Sequence, residues 1–220
     1  MTFPAQAARS GQPASAQAYH LLERMIVTLE LPPGEVTTES ALIEMLGLGR
    51  TPVREAIQRL AWEGLIEIRP RAGLAITPIH AGDWVKVIDA RTGVEVLLAG
   101  DAARHLHPSL GARFQEAGKH MQKATAHNDP QSFLDADKEM DEAVAAAAEN
   151  PYAARLVAPL RTHSRRFWFR YRADSSFASA ARQHVGVIRA ILNRDPKTAE
   201  REAEALMRLL REYAKGAARS

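Results

Sequence analysis

Five interruptions cut the last two thirds of this chain into helical lengths: His107-Pro108, His127-Asn128-Asp129-Pro130, Asn150-Pro151, Ala173-Asp174-Ser175-Ser176 and Asn193-Arg194-Asp195-Pro196. Proline breaks a helix interior but is accommodated in the first turn, and an Asp just before it caps that turn. Alanine is abundant between the interruptions and the alternating pattern of strands is absent. Six helices therefore follow Pro78. Segments of this length with short connections pack most simply as an antiparallel bundle.

Composition sets the outer limits. A chain of 220 residues, 46% hydrophobic, can bury a core and is long enough for two small domains. It contains no cysteine, which removes disulfides and thiolate metal sites. No apolar run approaches the ~18 residues of a membrane span, and no basic-then-apolar leader opens the chain, so a cytoplasmic protein is expected. There is no P-loop, no dinucleotide glycine pattern, and no His with a Glu three residues before it, as a di-iron bundle requires. An enzyme is not expected. Residues 1–14, rich in Ala, Gln, Pro and Ser, are expected to be disordered.

Residues 15–78 differ in character. Tyr19, Leu22, Ile26 and Leu29 recur at helical spacing over 15–29, before Pro32-Pro33-Gly34. A short helix over 39–46 ends at Gly47. The next is expected over 52–63, with Thr51 as its cap, Pro52 first and Gly64 closing it. Val53, Ala56, Ile57 and Leu60 make its apolar face, which leaves Arg50, Arg54 and Gln58 on the other. Residues 65–68 and 74–77 read as strands, with Arg69-Pro70-Arg71-Ala72-Gly73 as a hairpin tip. The pattern is a helix-turn-helix with a basic wing. Exposed arginines are common on solvated helices, and residues 1–78 hold seven arginines against eight glutamates. Placement carries the weight here: five of the seven lie between 50 and 71.

In the bundle, Trp84, Ile88, Arg91, Glu95 and Leu98 share one stripe. Arg91 inside a bundle needs Glu95, another carboxylate or a bound anion, and the structural pair and the ligand role both stay open. Phe133, Asp137, Met140, Asp141 and Val144 share a face of the third bundle helix, and His184 lies in line with Ala181, Ile188 and Ile191 in the fifth. In the fourth, Arg161, His163, Arg165, Arg166, Arg170 and Arg172 surround Phe167, Trp168, Phe169 and Tyr171, which reads as a solvated basic face or a dimer contact. His163 or a neighbouring arginine is placed to reach an interior pocket. His105 and His107 read as surface.

Pro33-Gly34-Glu35, Leu42, Gly47, Arg50-Thr51-Pro52-Val53-Arg54-Glu55-Ala56, Leu60, Glu63-Gly64-Leu65 and Gly73 together resemble the winged helix of GntR-type bacterial transcription regulators. The resemblance implies DNA contacts from Arg50, Thr51 and Arg54, with Gln58 beside them, and from Arg71 and Gly73 at the wing. Gly49 departs from it, since relatives place Ser or Thr there. Residues 79–220 resemble the six-helix form of the FCD ligand-binding domain of FadR-like regulators. Arg91 with Glu95, Asp137, Asn150-Pro151, His184 and Asp195-Pro196 with Ala199 carry that likeness.

This second resemblance implies an effector, often a small carboxylate, and a divalent metal held by an Asp, a His one turn later, a His equivalent to His184, and a last His one helix on. Here Asp141 stands at the second position and Leu206 at the fourth. Asp137, Asp141 and His184 remain as an oxygen-rich candidate metal triad. Arg91, Asp137, Asp141 and His184 are the candidate effector contacts. The expected protein is mainly α, a winged helix-turn-helix with a small β-hairpin followed by an antiparallel six-helix bundle. It is expected to be a homodimeric, ligand-responsive repressor on near-palindromic operator DNA, released by a small organic acid. The alternative is a winged helix on a purely structural helical dimerisation domain without an effector.

Overall fold

The computed structural model describes residues 12–219, and for 174–176 the backbone alone. The early part of the segment expected to be disordered, residues 1–11, lies outside the described residues. The chain divides into two compact units, the first ending at Ile79 and the second beginning at His80.

The first unit holds α1 (Ala14–Val27), β1 (Val36–Thr37), α2 (Glu39–Leu46), α3 (Arg50–Trp62), β2 (Ile66–Arg69) and β3 (Gly73–Ile76), the strands forming an antiparallel sheet in the order β1-β3-β2. Ala18, Leu22 and Ile26 of α1 meet Val53, Ala56, Ile57 and Leu60 of α3, and Leu42, Leu65, Leu74 and Ile76 complete the core. Helix α2 begins where Thr38 Oγ1 accepts the Ala41 N–H at 3.1 Å, and ends at Gly47, whose φ of 63° is in the left-handed region.

Helix α3 departs from expectation at its start. Gly49 is the cap and Arg50 the first helical residue, so Thr51 and Pro52 lie within the first turn. The N–H groups of that turn have no partner in the helix, so proline fits there as well as at the first position. β1 was not expected, since two residues are too few to show an alternating pattern. It pairs Val36 with Ala75 and Thr37 with Leu74. This pairing explains Gly73: its φ is 91°, and a Cβ there would lie 2.6 Å from the Thr37 carbonyl oxygen.

The second unit is the helical bundle: α4 (Ala81–His105), a 3-10 turn (Pro108–Leu110), α5 (Gly111–Ala126), α6 (Pro130–Ala147), α7 (Pro151–Tyr171), α8 (Asp174–Leu192) and α9 (Pro196–Arg219). Every interruption seen in the sequence falls at a junction of two of these helices, and from the second onward its last residue or residues open the next helix. Asp129 caps the Gln131 and Ser132 N–H groups, Asn150 that of Ala153 and Asp195 that of Thr198, all at 3.1 Å. Helix α4 packs against α6, α7, α8 and α9. Its Trp84, Ile88, Leu98 and Ala102 are buried, as are Phe133 and Val144 of α6, Val157 and Phe167 of α7, Ile188 and Ile191 of α8, and Leu206 and Leu210 of α9. Burying each large apolar side chain is worth roughly 1.5–3 kcal/mol. Charged groups inside such a core stand out by contrast.

Candidate functional site

In the first unit, the buried positions of α3 turn Arg50, Thr51, Arg54, Glu55 and Gln58 outward, where they line one shallow concavity. No side chain caps the helix start, so its first N–H groups remain available to an anion. Arg54 Nε donates to Glu39 Oε2 at 3.1 Å, a bond between α3 and α2 that leaves the Arg54 side chain 61% exposed. Arg59 is committed elsewhere. It donates to Glu63 at 3.0 Å and covers the Tyr19 ring at 3.7 Å, while the Tyr19 hydroxyl donates to Glu63 at 2.7 Å, tying α1 to α3. Burial and the neighbouring Glu23 and Glu63 carboxylates push the Tyr19 hydroxyl well above its ordinary pKa.

At the wing, Ala72 N–H donates to the Arg69 carbonyl at 3.1 Å, and Arg71 adopts φ 65° at the exposed tip. Arg69 is held by Glu67 at 2.7 Å, a hydrogen bond that also lowers the Glu67 pKa. Arg71 is thus the wing residue presented outward. Gly73 serves the backbone approach between β3 and β1.

In the second unit, charged side chains from α4, α6, α7 and α8 form one continuous chain. Arg91 donates through Nε and Nη2 to Glu95 Oε1 at 2.9 and 2.6 Å. Arg161 grips the same carboxylate with a two-pronged bond, Nε to Oε1 at 2.9 Å and Nη2 to Oε2 at 2.6 Å. Its Nε also lies 3.2 Å from Asp141 Oδ1, and its Nη1 donates to the Asp141 backbone carbonyl at 3.2 Å. Arg165 Nη1 donates to Asp137 Oδ2 at 3.1 Å and to Asp141 Oδ2 at 2.6 Å. His184 closes the series with Nε2 3.0 Å from Asp137 Oδ1. Arg91, Glu95, Arg161, Arg165 and His184 are all buried, and the two aspartate side chains are 15% exposed.

The pKa shifts follow from this alternation of sign. Burial alone would raise the Glu95 carboxyl, but Arg161 and Arg91 overcome it and hold the group at about 2. Asp137 is likewise pulled below its ordinary value against burial, by His184 and then Arg165. Asp141 goes the other way: burial raises it, and the carboxylates of Asp137 and Glu95 add to the rise against the pull of Arg161 and Arg165. His184 Nδ1 lies 2.7 Å from the Ala180 carbonyl while Nε2 faces Asp137, so only the imidazolium can donate at both nitrogens. Burial opposes that charge, and Asp137 prevails, raising the His184 pKa.

The structure therefore brings Arg91, Asp137, Asp141 and His184 into one cluster. Of the two readings open for Arg91, it displays the pair with Glu95. The candidate metal residues are linked as an ion-pair chain, and among the described residues no three His, Asp or Glu groups are arranged to hold a metal ion. Arg161 and Arg165 were read as part of a solvated basic face or dimer contact, and this is corrected: both are buried. The available signal was their spacing of four on α7, which matches that of Asp137 and Asp141 on α6. Arg166 is also buried, and burial pushes its guanidinium down to about 10. Arg170 is exposed. Beside the cluster, Phe133 meets Trp168 at 5.0 Å and His184 edge-on at 5.7 Å. The indole N–H groups of Trp84 and Trp168 are buried without a hydrogen-bond acceptor among the described residues.

Residues 14–76 match the model for bacterial regulatory proteins of the gntR family, and residues 86–209 match the FCD domain. An uncharacterized HTH-type transcriptional regulator from the TAR-I ttuE-ttuC' intergenic region of Agrobacterium vitis is 31% identical over 138 residues, 60% of this chain and 78% of that protein. The HTH-type transcriptional repressor RspR of Escherichia coli K12 is 26% identical over 191 residues, 86% of this chain and 84% of the repressor. Among solved structures, E. coli McbR/YncC superposes with a TM-score of 0.76 at 17% identity, covering 90% of this chain and 94% of the other. That likeness shows a shared fold. No described helix is long and apolar enough to cross a membrane.

Proposed function

Because this chain belongs to the gntR family of bacterial regulatory proteins and carries an FCD domain, we propose that it is a dimeric repressor released from its operator by a small organic acid bound among the cations of its second unit. It is a transcription regulator and not an enzyme, and regulators of its class bind operator DNA. In the proposed complex, the first turns of α3 enter the major groove with Arg50, Thr51, Arg54 and Gln58, and Arg71 follows the backbone from the wing. One such helix reads few base pairs. Two copies on half-sites about one helical turn apart supply the rest. RspR, by its name a repressor, supports the sign of regulation.

The observation that carries the effector reading is the gathering of buried cations inside the bundle. Arg91, Arg161, Arg165 and the His184 imidazolium meet there on Glu95, Asp137 and Asp141, and α4 and α7 also bury the indole N–H groups of Trp84 and Trp168. A carboxylate ligand supplies acceptors and negative charge together. For regulation, the acid must bind the DNA-competent form less tightly than the other, because equal affinity shifts nothing. The test is a thermal-shift and calorimetric screen of small mono-, di- and tricarboxylic acids, followed by operator titrations with each acid that binds.

A second reading rests on a different observation: every carboxylate oxygen of Glu95, Asp137 and Asp141 already has a cationic partner. On that reading the cluster is a structural device of a helical dimerisation domain that takes no effector. A screen in which no acid binds, with operator affinity intact, selects it.

A further inference from the structure

We infer that the cation seated on the Asp137 and Asp141 carboxylates is the guanidinium of Arg165, and that the second unit folds and works without a resident metal ion. The inference concerns the ion alone and holds under either reading of the effector.

The first argument is occupancy of the donor atoms. Asp137 Oδ1 faces His184 Nε2 and Asp137 Oδ2 accepts from Arg165, while Asp141 Oδ2 accepts from the same Arg165 nitrogen and Asp141 Oδ1 faces Arg161. Each oxygen of the pair thus already faces a cationic nitrogen. His184 has Nδ1 committed to the Ala180 carbonyl, so its one candidate ligating atom is Nε2, which already meets Asp137.

The second argument is charge. A guanidinium cannot be deprotonated in place, so a metal on this pair must displace Arg165 bodily from a position where it is 9% exposed. It must also tolerate Arg161 bridging Glu95 and Asp141. A doubly charged ion in place of the Arg165 guanidinium leaves the cluster more positive by one charge, where the present arrangement alternates sign from Arg91 to His184.

The third argument is the composition of the set itself. The position one turn after Asp137 offers a carboxylate where an imidazole would favour zinc or nickel, and the position one helix beyond His184 is Leu206, buried and without a donor atom. Arg165 is then a positioning residue, holding α7 on the two aspartates of α6 in the way a bound ion otherwise would.

The test uses the full chain, expressed in medium supplemented with zinc, nickel and manganese and purified without chelator. Elemental analysis is expected to find far less than one ion per chain, and melting temperature is expected to be unchanged by EDTA or by zinc, nickel or manganese chloride. One ion per chain that survives dialysis, is lost in Asp137→Asn, and leaves an EDTA-sensitive melting temperature would overturn the inference. Arg165→Met combined with Asp141→His and Leu206→His removes the guanidinium and rebuilds a four-ligand set. A zinc-dependent rise in melting temperature confined to this variant is expected, and an equal rise in the parent chain would count against Arg165 as the resident cation.

Discussion

His184 and Asp137 meet with Nε2 3.0 Å from Oδ1, and the opposite ring nitrogen of His184 faces the Ala180 carbonyl at 2.7 Å. The pair ties α8 to α6 through a charge on each side. Because the folded-state pKa of His184 is raised, its contribution to stability is fully present below its unfolded value of about 6.5 and is lost as pH rises through the folded value. Asp137 and Glu95 are depressed, so their contributions are present above about pH 4 and disappear as pH falls toward the folded values. Melting temperature measured from pH 3 to 10 is expected to decline on both flanks. In His184→Gln the alkaline decline should shrink and the part of the acid decline that comes from Glu95 remain, and an unchanged alkaline limb would exclude His184 as its source.

Glu95 holds Arg91 and Arg161 together, and removing one partner of a buried pair leaves an uncompensated charge. Glu95→Gln or Arg161→Met is expected to cost roughly 3–5 kcal/mol in urea unfolding of the second unit. Glu95→Gln combined with Arg161→Met should cost less than the sum of the two single changes, since neither charge of that pair is then left without the other. Strict additivity would mean that the two residues do not act as a pair.

Arg54 and Arg71 are expected to fail in different ways. Arg54→Ala, if it removes a base contact, should lower specific operator affinity by about 1–3 kcal/mol and relax the preference at one base pair. Arg71→Ala should weaken all sequences alike and reduce the salt dependence of binding by about one charge. Anisotropy titrations across salt concentrations, on operator and scrambled DNA, separate the two behaviours.

Gly73→Ala places a Cβ against the Thr37 carbonyl at a backbone angle that alanine avoids. A loss exceeding about 1 kcal/mol in the stability of the first unit is expected. Wild-type stability in this variant would mean that β1 can move away from the wing without penalty.

Much of the architecture was legible because its signals are local. Asp129-Pro130, Asn150-Pro151 and Asp195-Pro196 each combine a side-chain cap with a ring that only a first turn accepts, and the helices begin there. The apolar face of α3 was equally plain from Val53, Ala56, Ile57 and Leu60. What escaped depends on distant partners. Arg161 and Arg165 look like any exposed arginines until α7 is set against Asp137, Asp141 and Glu95, residues 20 to 66 positions away. β1 has too few residues to show a period, and it exists because β3 offers it an edge. The cap at Gly49 escaped for a different reason, since any position in the first turn tolerates the proline that was taken as its marker.

The most direct measurement is a footprint of the full chain on genomic fragments, including the DNA upstream of its own gene, repeated with each acid that shifts its melting temperature. Protection of two related half-sites about one helical turn apart, lost in Arg50→Ala/Arg54→Ala and relieved by one such acid, is the expected result. Protection that is indifferent to sequence, or that survives the double substitution, would contradict operator recognition by α3. Specific protection that no acid relieves would contradict the proposed effector while leaving the DNA-binding unit in place.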